Sequence, residues 1–212
     1  MSIQPYYERD GIVIYHGDCR DILPELEQVD LVLTDPPYGV DYDEWDAEVP
    51  YAILPDLLSL SRGAVLWFGA SSMLQADLST FSPPPDRMLI WAPRFSLSNT
   101  GRDGLLYRWH PIHAWRLPGS HDGPKHDVLT TSTGGRNWWD HPATKPLDLM
   151  RSLVGFAPDR GTILDPFMGS GTTLRAAKDL GRHAVGIEIE ERYCEIAARR
   201  LEQQVLPIGD IA

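Results

Sequence analysis

The sequence predicts an α/β fold built on one doubly wound, mostly parallel sheet. Short apolar runs bounded by glycine, proline or aspartate indicate strands buried on both faces, as in a parallel sheet covered by helices. The last third of the chain alternates strands with helices in the order βαβα. The chain has 212 residues, of which 42% are hydrophobic and 23% charged, the balance of an ordinary folded domain. We therefore expect a single domain over residues 1–212.

The first half of the chain supplies four predicted strands and two predicted helices. Short, largely apolar runs such as Val29-Asp-Leu-Val-Leu-Thr34 predict strands over 11–16, 29–34, 64–68 and 88–91. Leucine and isoleucine at helical spacing predict a helix within 46–61, and a shorter helix is expected over 71–78.

The middle of the chain is irregular and locally basic. Residues 83–142 are rich in proline, glycine, histidine and tryptophan, with extended pieces near 105–107 and 112–115, so we expect a small insert over 93–140. Residues 82–160 carry ten Lys and Arg against seven Asp and Glu, although the whole chain has a net charge of −11. The locally positive charge indicates a surface that binds nucleic acid. A loop-rich surface with solvated charges is an equal alternative.

The last part of the chain gives the clearest pattern. A helix is expected over 145–156, with Pro146 in its first turn. A strand over 162–164, a helix over 172–180 closed by Gly181, a strand over 183–187 and a helix over 191–204 follow.

Several classes of protein are disfavoured by what the sequence lacks. Cys19 and Cys194 lie far apart and form no Cys-x-x-Cys pair, which indicates unpaired thiols in a reducing cytosol. Five of the seven histidines fall in residues 82–160, but no His-Glu-x-x-His accompanies them, so no metal site is expected. The polar start of the chain and the lack of a long apolar run predict neither secretion nor a membrane span.

A glycine-rich turn, Asp165-Pro-Phe-Met-Gly-Ser-Gly-Thr-Thr173, joins a predicted strand to a predicted helix. Glycines there allow the backbone to approach a ligand, and the helix N-terminus offers free N–H groups. A phosphate-binding loop is disfavoured because Thr172, not lysine, follows Gly171, and a dinucleotide fingerprint because Leu174 replaces its third glycine. The remaining alternatives are a nucleoside-cofactor site, with Glu188 placed to bond ribose hydroxyls, and a tight structural turn.

A second turn, Asp35-Pro36-Pro37-Tyr38, ends the strand predicted over 29–34. The two prolines stiffen it, so that it can aim one carboxylate and one backbone carbonyl at a substrate. Two acceptors match the two N–H donors of an amino group, and Tyr38 offers a face on which a base can stack. A proline-rich loop whose aspartate caps a neighbouring backbone is the alternative.

Taken together, the two turns resemble those of the DNA amino-methyltransferases. Asp35-Pro36-Pro37-Tyr38 is similar to their catalytic motif and precedes the segment similar to their cofactor loop, which is the permuted order of the beta class. His141-Pro-Ala-Thr-Lys-Pro146, Gly17-Asp-Cys19 and Gly186-Ile-Glu188 resemble further family segments, and the resemblance covers residues 11–203. It implies a circularly permuted, Rossmann-like fold of the S-adenosylmethionine-dependent methyltransferase type, a cytoplasmic enzyme of prokaryotic or phage origin, and DNA as partner.

The resemblance also implies roles for individual residues. Asp35 and the Pro36 carbonyl would hold the target amino group, Pro37 belongs to the same motif, and Tyr38 would stack on the flipped base. The residues expected to bind S-adenosylmethionine are Asp18 near the adenine amine, Phe167 near the adenine, Lys145 and Asp165 by the methionine end, Glu188 at the ribose, and Gly169, Ser170, Gly171, Thr172 and Thr173 along the cofactor. Methyl transfer would be direct, without a covalent enzyme intermediate.

Departures from the family pattern limit these expectations. Ala143-Thr144 replaces the commoner Thr-Gln. Little more than 118–140 remains to read DNA sequence, which indicates either weak sequence specificity or contacts supplied by a homodimer partner. Candidate DNA contacts are Arg136, Asn137, Trp138 and Trp139, and packing of the two tryptophans in the core or in a loop is an alternative of at least equal weight. By resemblance, Asp35 favours adenine N6 over cytosine N4. An RNA methyltransferase and a catalytically silent binding module are the further alternatives.

Overall fold

The computed structural model describes residues 3–39, 48–94, 108–118, 126–131 and 144–203. Within these ranges the strands, numbered in chain order, are β1 (Tyr7–Arg9), β2 (Ile12–His16), β3 (Val29–Thr34), β4 (Ser61–Phe68), β5 (Arg87–Trp91), β6 (His110–Trp115), β7 (Val128–Leu129), β8 (Thr162–Asp165) and β9 (His183–Glu188). The α-helices are α1 (Cys19–Ile22), α2 (Leu54–Leu60), α3 (Leu74–Thr80), α4 (Leu147–Val154), α5 (Thr172–Asp179) and α6 (Glu191–Glu202).

The strands form one mixed sheet in the order β1-β2-β9-β8-β3-β4-β6-β5-β7. Its centre is parallel, because β2, β9, β8, β3 and β4 all run in the same direction. The edges are mixed: β1 pairs antiparallel with β2, β6 pairs antiparallel with β4 and β5, and β7 pairs parallel with β5. The predicted α/β fold with a mostly parallel sheet is therefore confirmed.

Helices cover both faces of the sheet, as the apolar runs predict. Leu31 and Leu33 of β3 pack in a core with residues of α4, α5 and α6. Val29 and Val32 of the same strand pack in a second core with residues of α1 and α2. All four side chains are at most 2% exposed, so each contributes about 1.5–3 kcal/mol through burial. The sheet is thus doubly wound, and its central strands have no solvent-facing side.

Most predicted elements are present, with shifted ends. The strand predicted over 29–34 is β3, and the extended piece near 112–115 is the centre of β6. α4 is shorter than predicted, with Pro146 as its N-cap rather than in its first turn. The helix predicted within 46–61 has its α-helical part at Leu54–Leu60. The extended piece near 105–107 lies outside the described residues.

Two short edge strands, β1 and β7, are not anticipated by the sequence pattern. β1 pairs with β2 across the Asp10–Gly11 turn, where both residues have positive φ. β7 pairs with β5 and, together with β6, brings parts of residues 93–140 into the main sheet. In the described part of the chain, no helix is long and apolar enough to cross a membrane.

A buried polar network fixes the carboxyl end of β4 against β6 and α3. Asp77 of α3 accepts a hydrogen bond from the Tyr51 hydroxyl at 2.6 Å and lies 3.0 Å from Nε2 of His113 in β6. A Cβ at Gly69, just after β4, would lie 2.7 Å from this carboxylate, so the network closes tightly around a glycine. Because Asp77 and His113 are at most 2% exposed, these contacts pair the Asp77 carboxylate and Nε2 of His113 where water does not reach them.

Candidate active site

Four acidic residues singled out by the sequence lie at one edge of the sheet. Glu188 ends β9, Asp165 ends β8, Asp35 directly follows β3, and Asp18 lies two residues beyond β2. The four strands are neighbours and parallel, so their carboxyl ends meet at the same edge. In open α/β sheets this edge is where ligands bind.

The connections diverge between β3 and β8. From β8 the chain passes through α5 to β9 on one side, whereas from β3 it passes through α2 to β4 on the other. Leu31 pairs with Ile163 and Val32 with Leu164, so the two strands end side by side. In open α/β sheets ligands bind at such a point of divergence, and the two turns singled out by the sequence both border it.

The turn after β3 is stiff and internally bonded. Pro36 is buried, and the Tyr38 hydroxyl donates a hydrogen bond to Oδ1 of Asp35. The Asp35 side chain remains 21% exposed, so it is anchored and still reachable from solvent. Thr34, fully buried just before it, has a hydroxyl with no hydrogen-bond partner in the described ranges.

Lys145 reaches this turn from the segment before α4. Its Nζ forms an ion pair with Oδ2 of Asp35 and lies 3.0 Å from the Tyr38 hydroxyl. It also sits over two aromatic rings, 5.3 Å from the centroid of Tyr38 and 5.1 Å from that of Phe68. The resemblance implied that Lys145 lies by the methionine end of the cofactor. In the structure Lys145 contacts the catalytic turn, and the sequence does not reveal this contact.

Asp165 holds the glycine-rich turn from within the protein. Its carboxylate accepts hydrogen bonds from the Phe167 backbone at 3.2 Å and from the Thr173 hydroxyl. The side chain is 3% exposed, and burial raises its pKa to about 7, which the hydrogen bond from Thr173 opposes. Asp165 and Thr173 therefore shape the turn in addition to any role toward a ligand.

Glycine at position 171 is required for packing as well as for the approach of a ligand. Gly171 is the N-cap of α5 with φ +77°, and a Cβ there would lie 2.7 Å from the Cβ of Ala197 in α6. Both the backbone conformation and the close approach of α6 require glycine. The sequence offered a tight structural turn and a cofactor loop as alternatives for the glycine-rich turn. The structure shows that the two interpretations are compatible.

Glu188 ties the glycine-rich turn to the end of β9. Its two oxygens accept hydrogen bonds from the backbone N–H of Gly169 at 2.9 Å and of Glu190 at 2.8 Å. Burial raises its pKa, and the backbone hydrogen bonds oppose that rise. Each carboxylate oxygen has a second lone pair, so the anchored carboxylate can still accept from vicinal hydroxyls such as those of a ribose. These residues fit a nucleoside cofactor.

Arg200 of α6 supports the same turn and is a residue that sequence reasoning missed. Its Nη1 donates to the Ser170 carbonyl at 3.0 Å, to the Ser170 hydroxyl at 3.2 Å and to the Thr172 hydroxyl at 3.0 Å. A basic residue in the last turn of a helix is common, so the sequence pattern gave no signal for this contact.

Two other predicted cofactor residues lie close to this edge. Asp18 caps α1 by accepting from the Arg20 backbone at 2.9 Å, and its pKa is lowered chiefly by hydrogen bonding to the Arg20 side chain. Phe167 packs against the core that contains α1 and α2. The predicted DNA contacts, Arg136, Asn137, Trp138 and Trp139, lie outside the described residues.

His110, at the start of β6, is a further residue near the catalytic turn. Burial, followed by the positive charge of Lys145, lowers its pKa to about 4, while the charge of Asp35 opposes this shift. Its ring stacks on Trp91 with a centroid distance of 4.9 Å. At neutral pH it is therefore an uncharged aromatic neighbour of the Lys145–Asp35 pair.

Comparison with known proteins places the chain among enzymes that modify DNA. The family model described as DNA methylase, N6_N4_Mtase, matches residues 93–199, half of the chain. The type II methyltransferase M.ScaI of Streptomyces caespitosus is 26% identical, over 95% of this chain and 84% of its own length. The type II methyltransferase M2.DpnII of Streptococcus pneumoniae is 26% identical, over 96% of this chain and 94% of its own length.

Solved structures share the fold. The complex of M1.HpyAVI with SAM has a TM-score of 0.69 at 23% identity, covering 90% of this chain and all of that one. The PvuII DNA methyltransferase, described as cytosine-N4-specific, has a TM-score of 0.69 at 16% identity, covering 97% of this chain and 91% of that one. The predicted methyltransferase type of α/β fold is thereby confirmed.

Replacing Arg200 by methionine should loosen the glycine-rich turn. Loss of the three hydrogen bonds from Nη1 is expected to weaken binding of S-adenosylmethionine about tenfold, equivalent to roughly 1.4 kcal/mol. Isothermal titration calorimetry measures this, with Arg199→Met as matched control, because Arg199 is 72% exposed and pairs with Glu195. Equal affinities of the two variants would show that Arg200 does not support the site.

Proposed function

The chain belongs to the DNA methylase family of amino-methyltransferases. On that premise we propose that it methylates the exocyclic amino group of a base in DNA, with N6 of adenine as the preferred target. S-adenosylmethionine is the cofactor, and when bound it supplies an electrophilic methyl group on a sulfonium. The observation that carries the proposal is the position of Asp35 beside the glycine-rich turn, at the carboxyl ends of two neighbouring parallel strands.

Asp35 and the Pro36 carbonyl are the acceptors for the target amino group. Two acceptors bonded to the two N–H groups turn the nitrogen lone pair toward the methyl donor, which lowers the barrier through orientation and electrostatics. Attack of the held nitrogen on the methyl group would leave the electron pair of the methyl–sulfur bond on sulfur. The Asp35 carboxylate, which accepts the hydrogen bond from that nitrogen, would take the proton that the nitrogen loses.

Tyr38 has a second task in this scheme. Its ring is proposed to stack on the base flipped out of the duplex, while its hydroxyl fixes the orientation of Asp35. Neither Cys19 nor Cys194 is suited to act as a nucleophile, because burial raises the pKa of the first to about 11 and of the second to about 12. Direct transfer to nitrogen therefore fits the residues better than a covalent thiol intermediate.

Adenine is the preferred base because Asp35, by resemblance, is typical of enzymes that methylate N6. Cytosine N4 is the second candidate. It is favoured by the similarity in fold to a structure described as cytosine-N4-specific. Both reactions use the same acceptors, since each base presents an exocyclic amino group beside a ring nitrogen.

Residues 93–140 are proposed as a small insert that contacts DNA within an otherwise single domain. Arg136 and Asn137 would contact the phosphates or base edges. Trp138 and Trp139 would stack on the bases. A second copy of the chain is the alternative source of contacts. The curated relatives are bacterial, which supports a role in a bacterial cytoplasm.

Asp35→Ala should abolish methyl transfer to DNA while the cofactor still binds. Loss of the carboxylate removes both an acceptor for the amino group and the proton acceptor, so the rate constant should fall about 100-fold or more. Transfer of a labelled methyl group to unmethylated bacterial DNA measures this. Asp148→Ala, which removes a carboxylate that is 77% exposed on α4, is the matched control. Full activity of Asp35→Ala would overturn the assignment.

Arg136→Ala should weaken DNA binding and reduce its dependence on salt. If Arg136 neutralises one phosphate, the slope of log K against log salt becomes less steep by about one unit. Fluorescence anisotropy with unmethylated duplex DNA between about 50 and 200 mM salt measures the slope. Arg62→Ala, at the opposite end of β4 from the site, is the control. DNA binding that is insensitive to salt would contradict the proposed phosphate contacts.

A further inference from the structure

One short segment before α4 contacts both turns of the site. The Thr144 hydroxyl lies 3.4 Å from the Ser170 hydroxyl on the glycine-rich turn. The next residue, Lys145, pairs with Asp35 and Tyr38 on the catalytic turn. The base of the segment is fixed, because the Pro146 carbonyl accepts a hydrogen bond from the backbone N–H of Met150, a buried residue of α4, at 3.1 Å. Two consecutive residues therefore join the cofactor side of the site to the acceptor side.

The ammonium of Lys145 is confined. The side chain is 9% exposed and lies over the rings of Tyr38 and Phe68. Aromatic faces stabilise a cation, but a buried ammonium still requires an anionic partner. Asp35 supplies that partner in the structure. Lys145 can leave Asp35 only if another anion becomes available within reach of the same segment.

Lys145 also competes with the substrate proposed above. Each oxygen of Asp35 already has a donor, Tyr38 on Oδ1 and Lys145 on Oδ2. A charged donor forms the stronger hydrogen bond to a carboxylate, so a neutral amino group is at a disadvantage against an ammonium. The acceptor that the reaction needs is thus partly occupied as long as Lys145 stays in place.

We propose that Lys145 is a positioning residue that exchanges Asp35 for the carboxylate of the cofactor's amino-acid end, so that cofactor binding makes Asp35 available to the target base. This inference rests on the proposed function. The cofactor brings one carboxylate, and the segment that carries Lys145 contacts Ser170 on the glycine-rich turn along which the cofactor is expected to lie. Such an exchange makes the two binding events favour each other, with equal coupling in both directions.

The exchange is tested with two ligands that differ in the amino-acid end. S-adenosylhomocysteine carries an α-carboxylate and an α-ammonium there, whereas 5′-methylthioadenosine has the same nucleoside and sulfur with a methyl group in place of that end. Calorimetric affinities of both ligands are measured for the wild type, Asp35→Ala, Lys145→Met and the double variant, which together form a double-mutant cycle. Lys178→Met, which removes a lysine of α5 that pairs with Asp10, is the matched control.

The exchange predicts opposite effects of the two single variants. Asp35→Ala should tighten binding of S-adenosylhomocysteine about fivefold, because Lys145 no longer has to leave an ion pair. Lys145→Met should weaken it about tenfold, and in that background Asp35→Ala should have little effect. Affinity for 5′-methylthioadenosine should change less than about twofold in every variant. Lys145→Arg should retain the preference for the ligand with a carboxylate.

Two results would overturn the exchange. One is an additive cycle, in which Asp35→Ala changes affinity for S-adenosylhomocysteine equally with and without Lys145. The other is a Lys145→Met variant that loses the same affinity for both ligands, together with a Lys145→Arg variant that binds them no more tightly. That result would indicate a structural role alone. Failure of the wild type to bind either ligand would instead contradict the proposed function itself.

Discussion

The site depends on the pairing of β3 with β8. Because the chain leaves these two strands in opposite directions, the turns that follow them lie side by side at the point of divergence where open α/β sheets bind ligands. Asp35 and Asp165 are far apart in the sequence, yet this pairing sets them on neighbouring strand ends. A shift in register between β3 and β8 would separate the acceptor of the amino group from the cofactor turn, whatever residues those turns contained.

Charge at this edge is the second constraint. Asp165 and Glu188 are buried acids whose pKa values burial raises, and backbone or hydroxyl donors hold each of them. Asp35 is different, because an ammonium and a phenol hold it in a partly open position. The buried acids therefore shape the cofactor turn, whereas the more exposed carboxylate is suited to exchange partners during a reaction.

The sequence predicts the strands of the sheet and the two turns that follow them because these features are local, whereas the edge that the turns share depends on the pairing of β3 with β8. Apolar runs such as Val29–Thr34 specify strands, and prolines or glycines specify the turns that follow them. Lys145–Asp35 and Arg200–Ser170 could not be predicted in this way, since each joins side chains that are distant in the chain and belong to different elements. β1 could not be predicted because it has only three residues, all at least partly exposed, which is too short for a recognisable strand pattern. The proposed DNA contacts at 136–139 remain predictions.

The central claim is that this edge of the sheet transfers a methyl group to an amino group of a DNA base. The most direct measurement incubates the purified chain with labelled S-adenosylmethionine and unmethylated bacterial DNA, and then identifies the modified nucleoside by mass analysis. The account predicts N6-methyladenine. N4-methylcytosine would keep the site and change the base, whereas an absence of methylated nucleoside from an enzyme that binds the cofactor would contradict the claim.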